Sequence, residues 1–120
     1  MLDYLNGREH AIAALDRELE SLAISVITYG EVYEGILAGE NTQQQAEAFE
    51  DFLDGPALLL VDQRVAHTWA RLRGALRTGG HPLPDADLLI AATAITHDAM
   101  LITGNRKHFE RIPGLQLFDP

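Results

Sequence analysis

Short apolar runs alternate with longer helical stretches in this chain, and this alternation restricts its fold more than any other feature. Residues 22–27, 57–61 and 100–103 are mainly aliphatic runs, short enough to be buried strands. Residues 115–118 are a shorter fourth candidate. Strands separated by helices are typical of a parallel sheet covered on both faces. The sequence therefore predicts an α/β fold.

The stretch before the first of these runs has apolar residues at helical spacing. Residues 8–20 place Ile12, Leu15 and Leu19 on one face, between charged residues. Because apolar residues three and four positions apart share one side of a helix, this pattern predicts an amphipathic helix.

Polar residues at the starts of the remaining helical stretches are candidate caps. Thr28 is expected to begin one helix, with Glu31 as its capping-box partner, and Thr42 the next. Asp62 is expected to cap a long helix that ends at two glycines. A further helix over residues 88–97 is apolar on nearly every side, so we expect it to be buried.

Length and composition exclude several classes of protein. A chain of 120 residues has room for one core, so residues 1–120 are expected to form a single domain. It contains no cysteine, which excludes disulfides, zinc–thiolate sites and a cysteine nucleophile. The histidines lack metal-ligand spacing, and neither a Gly-rich phosphate loop nor a serine elbow is present. With no apolar run long enough to span a bilayer, we expect a soluble, cytoplasmic protein without membrane contact.

The net charge of −9 is unevenly distributed. Residues 1–62 have 2 basic and 13 acidic side chains, whereas residues 63–120 have 7 basic and 5 acidic ones. An acidic total disfavours indiscriminate binding to nucleic acid, which depends on Lys and Arg. It is compatible with a carboxylate metal site, because a bound cation reverses the local charge. A solvated acidic surface, or one that docks a basic partner, explains the asymmetry equally well.

Carboxylates stand where an α/β fold recruits ligands, near the carboxyl ends of strands. Glu31 follows the strand at 22–27 by one turn, and Asp87 stands at the start of the apolar helix. Each has a structural alternative, because acidic residues also cap helices and favour their first turn. Asp85 is the better-placed cap, which leaves Asp87 free to bind a cation. Two such carboxylates with water suit Mg²⁺.

Three segments, in this order and spacing, resemble VapC-type ribonucleases of the PIN-domain family. Ile-Ser-Val-Ile-Thr-Tyr-Gly-Glu-Val-Tyr-Glu-Gly at residues 24–35 is similar to the family's second acidic motif. Asp-Ala-Asp-Leu-Leu-Ile-Ala-Ala-Thr-Ala at residues 85–94 is similar to the third. Residues 101–109, with Ile-Pro-Gly-Leu at 112–115, resemble the closing segment. The resemblance covers nearly the whole chain.

The resemblance implies a three-layer α/β/α sandwich with a parallel sheet, and an endoribonuclease that uses Mg²⁺ or Mn²⁺. It implies a homodimeric toxin that cuts RNA and is neutralised by an antitoxin protein. Glu31 and Asp87 match the catalytic metal ligands of the family. The other residues that it suggests are Asp85, Thr103 and Asn105 in support of the site, and Arg106 and Lys107 as contacts of the RNA backbone.

Two departures from the family pattern affect this prediction. Family members begin with a strand, central in the sheet, that ends in an Asp-Thr-Asn-like motif, whereas this chain begins at the helix that follows it, so Asp3 lies beyond the position of the catalytic aspartate. The first strand is thus expected to be absent, which would leave its neighbours with unpaired backbone groups. We expect that the natural gene product starts upstream or that another chain supplies this strand.

The second departure lies in the closing motif, where many relatives have an acid and this chain offers Asn105 or His108. With fewer carboxylates, metal binding is expected to be weaker. The alternative function is therefore a catalytically impaired PIN-like protein that binds antitoxin or RNA without cleavage.

Overall fold

A computed structural model describes residues 10–15, 22–80 and 83–118 of the chain. The described segments form five strands and five helices around one mixed sheet. The strands are β1 (Ala11–Leu15), β2 (Leu22–Ser25), β3 (Ala57–Leu59), β4 (Ala99–Thr103) and β5 (Gln116–Leu117). The helices are α1 (Val26–Ala38), α2 (Thr42–Phe52), α3 (Gln63–Thr78), α4 (Asp85–Thr96) and α5 (Arg106–Phe109). The predicted α/β class is confirmed.

The sheet has the strand order β3-β2-β1-β4-β5, with β1 in its centre. The β2–β3 and β4–β5 pairs are parallel, as predicted, but β1 is antiparallel to both of its neighbours. The predicted helix over residues 8–20 is therefore wrong at 11–15, and its other residues, apart from His10, lie outside the described part. The central position that we expected to be vacant is occupied by β1, which makes the sheet mixed instead of wholly parallel.

Most of the core lies between the sheet and the hairpin of α3 and α4. Leu101 of β4, Leu72 of α3 and Leu88 of α4 are among its buried residues. As predicted, α4 is buried on several sides, and its Leu88, Ile90, Ala91, Ala92, Thr93 and Ala94 are inaccessible. Burial of this apolar surface stabilises the fold at about 25 cal/mol per Å². Because α4 is enclosed, the position of its first turn is fixed relative to the sheet.

A second, smaller core joins α1 to α2. Val32, Ile36 and Phe49 are buried there, and the Tyr29 and Tyr33 rings contact Phe49. The Tyr33 hydroxyl donates a 2.8 Å hydrogen bond to Glu50 Oε2, and this bond raises the pKa of the Tyr33 hydroxyl. These contacts hold α2 against the outer side of α1.

The helix caps differ from the predicted ones in three places. Ser25, not Thr28, caps α1, because its hydroxyl accepts a 3.0 Å hydrogen bond from the Thr28 N–H. Thr42 is the first residue of α2, and its hydroxyl donates to the Ile36 carbonyl at the end of α1. Asp85 is the first residue of α4, and the N-cap position before it is Pro84. The Asp62 cap is confirmed, with Oδ1 accepting from the Val65 N–H at 2.9 Å.

None of the helices in the described ranges has both the length and the hydropathy that crossing a lipid bilayer requires.

Candidate functional site

The centre of the candidate site is the first turn of α4. Asp87 is the third residue of this helix, and only 13% of its side chain is exposed. An acidic side chain in a first turn is stabilised by the unpaired backbone N–H groups and by the helix dipole. The apolar residues that follow bury the helix, and so they fix where the carboxylate lies.

His108 contacts this carboxylate directly. Its Nδ1 lies 2.8 Å from Asp87 Oδ2, a hydrogen-bond distance. The next residue, Phe109, is 1% exposed and belongs to the main core, which anchors the short helix α5 beside α4. Of the two residues that the sequence offered at the closing motif, the structure therefore brings His108 to Asp87.

Glu31 reaches the same edge of the sheet from α1. Ala13 pairs with both Ala23 and Leu101, so β2 and β4 are in register on either side of β1 and end at the same edge. Helix α1 begins directly at the end of β2 and packs against α4. Glu31, partly buried, is one and a half turns into α1. The two predicted carboxylates are thus on neighbouring helices at the carboxyl edge of the parallel strands.

The residues suggested as supports of the site have different surroundings. Asp85 is exposed and faces α3, where its Oδ1 lies 3.7 Å from Arg73 Nε. Thr103 ends β4, and its hydroxyl accepts a 3.0 Å hydrogen bond from the Asn105 backbone N–H. This bond shapes the turn that leads into α5 and therefore to His108. The Thr103 hydroxyl and the Asn105 backbone thus meet in this turn, and their support of the site stays a prediction.

The two cations suggested for RNA also differ. The Arg106 guanidinium donates a 3.0 Å hydrogen bond from Nη1 to the carbonyl of Phe118, which ties α5 to the chain after β5. Lys107 is exposed at the surface of α5. Both side chains are exposed, and the Arg106 guanidinium has one of its donors engaged with the protein.

The sequence reasoning missed a second polar region, on α3. Arg64, His67, Thr68 and Arg71 line a groove of about 510 Å³ between α3 and the end of α4. We call this the α3 groove; Gln63, Ile95 and Thr96 complete its lining. The signal was available, because residues three, four and seven positions apart share one face of a helix.

The donor set at the α4 edge suits a hard cation that keeps much of its water. No group of three or more His, Asp or Glu side chains with metal-binding geometry occurs among residues 10–15, 22–80 and 83–118. Magnesium is commonly held by one or two carboxylates, with water and substrate phosphates completing the octahedron. Glu31 and Asp87 provide that number of carboxylates.

Comparison with known proteins finds a matching family and similar chains. A family model described as "PIN domain" matches residues 1–115. Ribonuclease VapC19 of Mycobacterium tuberculosis is 35% identical over 119 residues, which is 96% of this chain and 90% of that protein. Ribonuclease VapC1 of Haemophilus influenzae is 32% identical over 100 residues, or 83% of this chain and 75% of that protein.

A solved structure shows the same fold. The chain is similar to one in the structure of VapBC-1 from nontypeable Haemophilus influenzae, with a TM-score of 0.77 and 32% identity. The similarity covers 82% of this chain and 74% of that one.

Proposed function

Because this chain belongs to the PIN-domain family and is of the VapC ribonuclease type, we propose that it is a metal-dependent endoribonuclease toxin. Its relatives are named ribonucleases, and a more distant one, from Salmonella typhimurium, is named a tRNA(fMet)-specific endonuclease. Its structural neighbours are VapBC toxin–antitoxin complexes. An antitoxin protein is accordingly its expected partner and RNA its expected substrate. The homodimer and the cytoplasmic location stay predictions.

The observation that carries this proposal is the largely buried Asp87 carboxylate with His108 at 2.8 Å. Asp87 and Glu31 are the proposed ligands of Mg²⁺ or Mn²⁺, and His108 keeps Asp87 in one orientation. Such a cation, when bound, lowers the pKa of its water and screens charge that builds on a phosphodiester. Lys107, exposed beside His108 on α5, is the proposed contact of the RNA backbone, and Arg106 ties that helix to the chain after β5.

The proposal predicts that Asp87→Asn abolishes RNA cleavage while the fold is kept. Asparagine has the shape of aspartate but not its charge, so the cation loses a ligand. We expect a loss greater than the 10–100-fold that removing an outer hydrogen-bond partner of a metal ligand typically causes. Cleavage of total RNA in Mn²⁺, together with calorimetric Mn²⁺ titration, measures the effect.

Asp54→Asn is the matched control, because this exposed aspartate lies at the turn after α2 and the exchange removes the same charge. It should cleave RNA and bind Mn²⁺ like the wild-type chain. Cleavage by Asp87→Asn at the wild-type rate would contradict the assignment of Asp87.

A protein that binds RNA or antitoxin without cutting is the second candidate. It is favoured by the donor set, which offers two carboxylates at the α4 edge and no cluster of three within the described residues. A wild-type chain that binds its partner but neither titrates with Mn²⁺ nor cleaves RNA would establish this alternative over the enzyme.

A further inference from the structure

Helix α3 is strongly basic in an acidic protein. Its sixteen residues include Arg64, Arg71, Arg73 and Arg77 and no acidic side chain, whereas the whole chain has a net charge of −9. A protein with this total repels a polyanion at long range, so any binding to one requires a local basic surface. Helix α3 is therefore the surface at which the electrostatic repulsion of a polyanion is weakest.

The arginines of α3 have different surroundings. Arg73 is engaged, because its guanidinium lies 5.3 Å from the centre of the Trp69 ring and 3.7 Å from Asp85. Arg77 lies near Arg73 in a separate, smaller cavity that Asp85 also lines. Arg64 and Arg71 instead line the α3 groove. Two arginines are thus directed to one concave surface, and the other two are associated with an aspartate.

The α3 groove has a fixed arrangement of polar groups. Arg64 Nη2 donates to the Thr96 carbonyl at 3.2 Å, and the Thr96 hydroxyl donates to the Thr68 hydroxyl at 2.9 Å. These bonds hold α3 against the end of α4, while Arg64, His67 and Arg71 stay exposed. The two hydroxyls are engaged with each other, and the buried Thr68 hydroxyl also donates to the Arg64 carbonyl at 3.2 Å. The exposed guanidinium groups are therefore the part of this surface that can contact phosphate oxygens.

We propose that the α3 groove binds the phosphodiester backbone of single-stranded RNA, at a distance from the site of cleavage. Thr96 is nine residues after Asp87 on α4, or about 13 Å along the helix axis. A strand held in the groove is therefore separated from Asp87 by more than one nucleotide. This inference rests on the proposed function, since it concerns the substrate of the same protein, and it assigns the groove to binding and not to chemistry.

The test measures binding of fluorescein-labelled polyuridine by anisotropy, in EDTA so that no strand is cut, across a salt series. Arg64→Gln/Arg71→Gln should bind about 10-fold more weakly, and the slope of log K against log salt should fall by about 1.4, since each phosphate contact on a single strand contributes about 0.7. Arg64→Lys/Arg71→Lys, which keeps both charges, should recover most of the slope. Because Arg64 also bonds to Thr96, Arg71→Gln alone, with a fall of about 0.7, serves if the double variant unfolds.

The matched control is Arg77→Gln/Arg111→Gln, which removes the same charge outside the groove: Arg77 lines the smaller cavity, and Arg111 is exposed in the turn after α5. It should keep the wild-type slope. Equal losses in both double variants, or no loss in either, overturn the proposal. So does competition by polyglutamate as strong as that by unlabelled polyuridine, because the groove would then fit an acidic protein. A chain that binds RNA through the groove but cuts none in Mn²⁺ contradicts the proposed function and leaves this inference standing.

Discussion

The central strand β1 and its neighbour β4 pair with each other over five residues but have opposite local preferences. The β4 sequence, Ala-Met-Leu-Ile-Thr, is suited to a strand, and the apolar run predicted it almost to the residue. The β1 sequence, Ala-Ile-Ala-Ala-Leu, is rich in the best helix former, and the helical spacing of Ile12, Leu15 and Leu19 predicted a helix there. Within one sheet, the local sequence of β4 therefore favours a strand, whereas that of β1 favours a helix.

This difference shows where tertiary structure overrides local preference. Helix propensities differ by less than about 1 kcal/mol per residue among ordinary residues, so a few alanines are outweighed by two rows of backbone hydrogen bonds. β1 is paired on both sides, with β2 and with β4. Its Ala11, Ala13 and Ala14 are buried, so both faces of the strand are covered. The neighbours of β1, more than its own sequence, make it a strand.

The largest expected effect is a disulfide cross-link between β1 and β4, which forms only if the two strands pair in the described register. Ile12 and Ile102 are directly opposite each other. Opposed residues in antiparallel strands have Cα atoms about 4.5–5.5 Å apart, within the range that a disulfide bridges. Since the chain has no cysteine, Ile12→Cys/Ile102→Cys should oxidise nearly completely to one bridged species. Non-reducing gel mobility and mass spectrometry measure it.

Ile12→Cys/Met100→Cys is the control pair. Met100 is opposite Ala14, so this pair is diagonal, at about 7–8 Å, and should cross-link poorly. Efficient bridging of the diagonal pair, or none at Ile12 and Ile102, would mean that the segment does not pair antiparallel with β4 in this register.

The same contrast explains how much of the fold and of the site could be predicted from the sequence. Periodicity and motif order predicted strands β2 to β5, helices α1 to α4 and the Asp62 cap. They also predicted that Glu31 and Asp87 lie at one edge of the sheet. The pairing of β1 could not, because it depends on neighbours that are distant in sequence. For the same reason the sequence offered both Asn105 and His108 at the closing motif and did not show that His108, 21 residues from Asp87, contacts it. The spacing of polar residues on α3 could have indicated one side of the α3 groove, but its other side comes from Ile95 and Thr96 of α4, and no local pattern predicts how the two helices pack.

The next largest effect is the loss of stability expected when a large buried side chain of β4 is shortened. Leu101 is 2% exposed and belongs to the main core. Leu101→Ala removes its contacts and leaves a cavity, so the free energy of unfolding should fall by about 2–5 kcal/mol. Urea denaturation followed by circular dichroism measures it. Leu58→Ala, on the edge strand β3 where Leu58 is 44% exposed, should change it by no more than about 0.5 kcal/mol; equal losses at the two sites would contradict the described core.

The smallest effect is the loss of stability expected when a small buried side chain of β1 is enlarged. Ala14 is fully buried between neighbouring strands, so Ala14→Leu forces extra volume into a filled space and should lower the free energy of unfolding by about 1–3 kcal/mol. Ala57→Leu makes the same change on β3, where Ala57 is exposed, and should be nearly neutral. If Ala14→Leu were instead stabilising, the space around β1 would be loosely packed. The alanines of β1 would then not be required by a narrow space between the layers, and close packing would not be the reason that this segment is a strand.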